Sequence, residues 1–327
     1  MTNLVEINDL TIRFTGERNV HAVNDVSLSL GDGEVLGLLG ESGSGKSVTM
    51  RALMRLLPRK RTQISGSVRV LGRDVLAMGD EELSQFRGRT VSMIFQEPGL
   101  ALDPVYTIGR QIAETVMRHE GKSYAEGTAR ALEMLEIVRI PSAKRRLESY
   151  PHEMSGGMRQ RAMIALALAC RPKVLLADEP TTALDATVQI QILLLLRELQ
   201  RELGMSVIFV THDIGVAIEI CDRVAVMYAG QIVEQGALRD IVRRPVHPYA
   251  RGLLASTIHG AKRGERLQTI PGTPPSLDQA PQSCSFAPRC SFAQPRCSEA
   301  MPPSVELGPQ RFARCILAEA PVGVAAT

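Results

Sequence analysis

The segment Gly40-Glu-Ser-Gly-Ser-Gly-Lys-Ser47 constrains this chain more than any other. It fits GxxxxGK[ST], directly after a predicted strand, Val35 to Leu39, and directly before a predicted helix, Ser47 to Leu57. Within that helix Met50, Leu53, Met54 and Leu57 recur at i, i+3, i+4, i+7, the spacing of one apolar face. Glycines let successive backbone N–H groups turn inward, and a helix N-terminus adds partial positive charge at the same place. Gly40, Ser42, Gly43, Ser44, Gly45, Lys46 and Ser47 are therefore the candidate phosphate cradle of a nucleotide site. In such a cradle the lysine reaches the β- and γ-phosphates and the Ser47 hydroxyl ligates Mg²⁺. A Gly/Ser loop without a ligand is the bland alternative, and it leaves the conjunction of strand, spacing and helix unexplained.

The remaining pattern is βα alternation, the mark of an α/β sheet. An apolar strand, Val174 to Ala177, precedes a helix whose Ile192, Leu195, Leu196, Leu199 and Leu203 share one face. Next come a strand, Val207 to Val210, and a hairpin from Val224–Tyr228 through Ala229-Gly230 into Ile232-Val233. Most of the 19 prolines fall between Pro245 and Pro321, which places a boundary near residue 262 and makes the rest a loop-rich extension. A length of 327 residues with 44% apolar and 22% charged residues fits a main domain plus a smaller one and excludes a disordered or fibrous chain. The net charge of +3 gives no sign of a nucleic-acid partner. No apolar run approaches the roughly 18–20 residues that cross a bilayer, and the N-terminal segment lacks a signal peptide, so a cytosolic, reducing address is expected.

Val174-Leu-Leu-Ala-Asp178-Glu179-Pro180 is a buried strand ending in two carboxylates, a costly arrangement unless a cation or a proton uses them. Asp178 suits Mg²⁺ coordination through water, and Glu179 suits polarising the water that attacks a γ-phosphate; the alternative is that the pair caps the next turn. Phe14 is the upstream aromatic available to stack on adenine, or equally an edge-strand core residue. Met154-Ser155-Gly156-Gly157-Met158-Arg159-Gln160 opens an apolar helical run. Together with the phosphate loop and the acidic strand end it resembles the LSGGQ signature of ATP-binding-cassette (ABC) ATPases, with methionines in place of the Leu and Gln. Further along, Phe95-Gln96-Glu97-Pro98 looks like the family's Q-loop, Ala183-Leu184-Asp185 like its D-loop, and His212 like its switch histidine. The resemblance covers roughly residues 4–260.

The resemblance implies a RecA-like α/β core with an antiparallel β subdomain and a helical subdomain, over residues 1–262, and a C-terminal extension over 263–327. It implies that Gln96 senses Mg²⁺ and water and contacts a membrane partner, that His212 contacts the γ-phosphate, and that Ser155, Gly156 and Gly157, with Asp185 nearby, face an ATP held by a second cassette. His247-Pro248-Tyr249, Ile270-Pro271-Gly272-Thr273-Pro274-Pro275 and the tail around Phe286, Pro288, Arg289 and Cys290 resemble the oligopeptide/dipeptide importer subfamily, of D type. The expectation is an ATPase that energises uptake of peptides, or of nickel or another solute, from the cytoplasmic face of the inner membrane. Its implied partners are an F-type second ATPase, two permease subunits and an extracytoplasmic solute-binding protein.

Cys284, Cys290, Cys297 and Cys315 follow C-x5-C-x6-C-x17-C, and four thiolates hold a [4Fe-4S] cluster or a tetrahedral zinc, with free thiols or disulfides as the remaining alternative, the disulfides disfavoured by a reducing cytosol. Absence of close pairs and likeness to the subfamily tail favour iron–sulfur, as a staple for an extension with few apolar anchors. A DNA-repair or chromosome-maintenance ABC ATPase is the competing reading. Relatives of that kind separate loop from signature by a long coiled coil, and no sustained heptads lie between Lys46 and Ser155.

Overall fold

The computed structural model of the chain describes residues 3–182, 184–256 and 269–318. The expected boundary near residue 262 and Ala183 of the D-loop segment lie outside these residues. Two units are distinguished: Met1–Leu76 with Thr211–Thr327, and Ala77–Val210. In chain order the strands are β1 (Asn3–Phe14), β2 (Val20–Gly31), β3 (Val35–Leu39), β4 (Thr62–Val70), β5 (Arg73–Asp74), β6 (Val91–Ile94), β7 (Val174–Asp178), β8 (Ser206–Thr211), β9 (Arg223–Tyr228), β10 (Gln231–Ala237), β11 (Ser304–Gly308) and β12 (Arg311–Arg314).

In the first unit, an antiparallel sheet runs in the order β2-β1-β4-β5. β2 alternates between buried and exposed residues along much of its length, as a sheet solvated on one face requires. The unit's other strands run in the order β11-β12-β10-β9-β3. β3 is buried at every residue and pairs in parallel with β9, the Val/Leu-rich run expected of a strand covered on both faces. The β9–β10 hairpin turns where predicted, with positive φ at both Ala229 and Gly230, the conformation a two-residue turn needs to follow the strand twist. α1 (Lys46–Leu53) is shorter than its apolar period suggests: Met54 is its C-cap and Arg55 has a left-handed φ of 47°, so Leu57 continues the spacing but not the helix.

The extension is built onto this unit. β12 adds antiparallel to β10, with Glu234 opposite Ala313 and Gln235 opposite Phe312, and β11 follows β12. Phe286 is buried against Tyr228, Tyr249 and His247, with ring centroids 5.2, 5.4 and 5.7 Å away. A further tie is His21 N–H donating to the Leu277 carbonyl at 2.7 Å.

The second unit carries the parallel strands β8, β7 and β6 and several helices. Helix Tyr124–Ile137 begins with a capping box, Ser123 and Glu126 each satisfying the other's backbone N–H, and the preceding helix Ile108–Glu120 stops at left-handed Gly121. Helix Ala186–Glu202 buries Ile192, Leu195, Leu196 and Leu199, the face its period predicts. Among the described residues no helix is long and apolar enough to cross a membrane.

Candidate functional site

Phe14, Gly40–Ser47 and His212 belong to the first unit; Gln96, Ser155–Gly157, Asp178, Glu179 and Asp185 belong to the second. β3 delivers Gly40 from the sheet, and α1 opens on Gly45 at φ 105°, ψ −4°, with no side-chain cap on its first turn. A Cβ at Gly45 would lie 2.5 Å from the Ala22 carbonyl oxygen, so only glycine seats the helix start against β2. The first turn of an α-helix is where an anion finds backbone N–H donors and the positive end of the helix dipole. Lys46 is 4% exposed, and its ammonium donates to the carbonyls of Gly40 at 2.7 Å and Glu41 at 2.9 Å and to Ser44 Oγ at 3.4 Å. The β9–β10 turn also grips the loop, Gly230 N–H donating to the Ser44 carbonyl at 2.9 Å.

Glu41, within the loop, is tied to residues far along the chain. Its N–H donates to Tyr249 Oη at 2.8 Å, and its carboxylate takes two bonds from Arg289, Nη1–Oε2 at 2.7 Å and Nη2–Oε1 at 3.0 Å. Phe14 ends β1, half-buried, opposite Val20 and Thr62. His212 is exposed, immediately after the last residue of β8.

In the second unit β7 ends at buried Asp178, and the chain leaves it through Glu179 in a left-handed conformation, φ 45°. A non-glycine residue held there stores roughly 1–3 kcal/mol of backbone strain, the kind that clusters at functional sites. Two donors meet on Glu179 Oε2: Gln96 Nε2 at 3.2 Å and Thr182 Oγ1 at 2.9 Å. The sequence singled out Gln96 and Glu179 separately; their bond, and the role of Thr182, carry no local signal. Ser155 and Asp185 are helix N-caps, accepting from Met158 N–H at 3.3 Å and Val188 N–H at 2.9 Å, so their local structural role is plain. Gly156 and Gly157 form the first turn of the helix Gly156–Leu168.

The tail cysteines require a correction. Cys284, Cys290, Cys297 and Cys315 line one small apolar pocket with His247 and Phe286. Among the described residues, however, no group of three or more His, Cys, Asp and Glu side chains is disposed to hold a metal ion, so the assignments of these four residues to an iron–sulfur cluster or to zinc are withdrawn. Burial pushes the Cys284, Cys290 and Cys315 thiols up. Phe286, Arg289 and β12 anchor the extension to the rest of its unit.

The chain matches the ABC transporter family over residues 23–182 and the oligopeptide/dipeptide transporter C-terminal region over residues 233–297. It is 51% identical to the probable peptide ABC transporter ATP-binding protein y4tR of Sinorhizobium fredii, covering 84% of this chain and 83% of that one. It is 50% identical to the oligopeptide transport ATP-binding protein OppD of Salmonella typhimurium, covering 85% and 83%. Among solved structures it resembles the dimeric cassette MJ0796 in a post-hydrolysis state bound to ADP and Pi, at 31% identity with a TM-score of 0.64, covering 72% of this chain and 99% of that one. An α/β cassette with a strained acidic strand end, and about half its aligned residues shared with peptide-transport ATP-binding proteins, belongs to the ABC transporter ATPases, in the branch that carries the oligopeptide/dipeptide transporter C-terminal region.

Proposed function

We propose that this ATPase drives import of di- and oligopeptides through separate membrane subunits, from the cytoplasmic face of the inner membrane. Residues 1–262 act as the cassette and 263–327 as its extension. The observation that carries the chemistry is the Glu179 carboxylate, fixed on a strained backbone and oriented by Gln96 and Thr182. Glu179 takes a proton from the attacking water and Gln96 orients that water. Gly40 and Ser42 through Ser47 wrap the triphosphate, Lys46 transferring its ammonium from loop carbonyls to phosphate oxygens, while Phe14 stacks on the base and His212 meets the γ-phosphate. Ser155, Gly156, Gly157 and Asp185 serve the nucleotide of a second cassette, in a heterodimer with an F-type partner.

Ser47, Gln96 and Asp178 offer hydroxyl, amide and carboxylate oxygens, the donor set a hard Mg²⁺ ion prefers. When bound, that ion supplies charge neutralisation for the transferring phosphoryl group. On either side of Gln96, Phe95, Leu100 and Val105 are 40%, 84% and 68% exposed, apolar side chains suited to contact a permease. The peptide cargo is read from the names of the relatives, and its presentation by an extracytoplasmic binding protein from the importer resemblance.

Glu179→Gln should retain ATP binding while losing roughly 10²–10⁴-fold in turnover, the range of a general base. Turnover that persists in this variant would refute the assignment. In vesicles holding both permeases, the second ATPase and the binding protein, a labelled tripeptide should accumulate only with ATP and wild-type Glu179. Accumulation of nickel instead of peptide would overturn the cargo reading alone.

A further inference from the structure

Glu41 is held at each of its polar groups: its N–H by Tyr249 Oη, its carbonyl by the Lys46 ammonium, and its carboxylate by the Arg289 fork. Arg289 comes from the extension, 248 positions away, and its side chain is only 5% exposed. It is braced in turn: Nε donates to the Pro271 carbonyl at 2.8 Å, Nη2 to Ile270 at 3.4 Å, and Nη1 to Tyr228 Oη at 3.3 Å. A planar guanidinium fixed this way pre-sets a carboxylate with little further loss of freedom.

A carboxylate within an anion-binding loop is itself a problem. Unneutralised, its charge opposes an incoming triphosphate, and a mobile Glu41 would displace the carbonyl that holds Lys46. We propose that Arg289 is a positioning residue of the nucleotide site: it cancels the charge of Glu41 and, through that residue's backbone, sets where the Lys46 ammonium awaits the phosphates. The extension thereby becomes part of the ATP site, although it touches no nucleotide. This inference rests on the reading of Gly40–Ser47 as the phosphate cradle.

The test is calorimetric titration of MgATP into the full-length chain. Arg289→Ala should weaken ATP roughly tenfold, the factor that loss of a charge-assisted hydrogen-bonded pair commonly carries. Arg289→Lys, which keeps the charge and loses the fork, should weaken it less. The decisive variant is the double substitution Arg289→Ala with Glu41→Gln, which removes the uncompensated charge and should recover most of the affinity. A merely structural role for Arg289 would give no such recovery. Wild-type affinity in Arg289→Ala, or a double variant as weak as the single, overturns the proposal. Loss of the folded state in both Arg289→Ala and Arg289→Lys makes the residue structural and overturns it equally. Lys46→Ala separates the two layers: if it keeps normal ATP affinity, the cradle reading itself fails, whereas if it loses ATP while Arg289→Ala does not, only the positioning role falls.

Discussion

Replacing Gly45 by alanine places a methyl group where the fold has no room, and the cost can be worked from its surroundings. The residue sits at φ 105°, and the new Cβ would meet the Ala22 carbonyl oxygen at 2.5 Å and Met227 Cε at 2.7 Å. Backbone strain of a side-chain-bearing residue in this region costs about 1–3 kcal/mol. Forcing apart atoms closer than van der Waals contact adds about 1–3 kcal/mol more, and reduced freedom of the unfolded chain returns about 0.4–1 kcal/mol. The net is a loss of about 3 kcal/mol. Gly43 is the internal control: its φ is 78°, and a Cβ there meets nothing within 4 Å. Gly43→Ala therefore carries the strain without the collision, about 1 kcal/mol net. At about 2–4 °C per kcal/mol, Gly45→Ala should lower the melting temperature of the nucleotide-free protein by about 6–12 °C, and Gly43→Ala by about 2–4 °C. Thermal circular dichroism without ATP reads this directly, because ligand stabilisation is then absent from both variants. Equal shifts for the two substitutions would refute the argument that close approach to β2, rather than loop flexibility, is what demands glycine at position 45.

Further measurements bear on other parts of the molecule. Burial, helped by Arg251, lowers His247 from 6.5 to about 3, and its Nδ1 accepts from Tyr249 N–H. The unfolded chain therefore binds the extra proton throughout that window, so this residue makes stability fall by about 1.4 kcal/mol per pH unit on acidification below about 6.5. Neighbouring Glu234, raised by burial, pulls the opposite way in both proteins, so urea midpoints of wild type and His247→Asn should diverge in pH slope, and parallel slopes would count against the assignment. Glu34→Gln leaves the Arg223 guanidinium, 6% exposed, without its counter-charge and should cost about 3–5 kcal/mol. By contrast Asp25→Asn, at a pair whose acid is 58% exposed, should cost about 1 kcal/mol or less; similar urea midpoints for the two would show that burial does not set the difference.

The parts of the fold that were legible in the sequence are those in which the information is local. The β3–loop–α1 unit is encoded by glycine spacing beside an apolar run, and the β9–β10 hairpin by Ala229-Gly230 between two strands. Leu57 misled because a periodic apolar residue packs equally well from the turn after a helix: it is 9% exposed although the helix ended at Leu53. Long-range structure was not legible. No period or spacing announces that Arg289 meets Glu41, that Thr182 shares Glu179 with Gln96, or that β12 lies along β10. The cysteines misled in the opposite direction, since their clustering suggested a metal, whereas an aromatic anchor at Phe286 and an arginine fork hold the same segment.

The placement of β12 has a practical corollary for anyone trimming this protein to its ATP-binding portion. Cutting the chain upstream of Ser304 strips away β11 and β12 together and leaves β10 as a bare rim of hydrogen-bonding backbone beside β9. Such a rim templates strand addition by neighbouring molecules, so shortened versions should self-associate and precipitate for reasons unrelated to nucleotide chemistry.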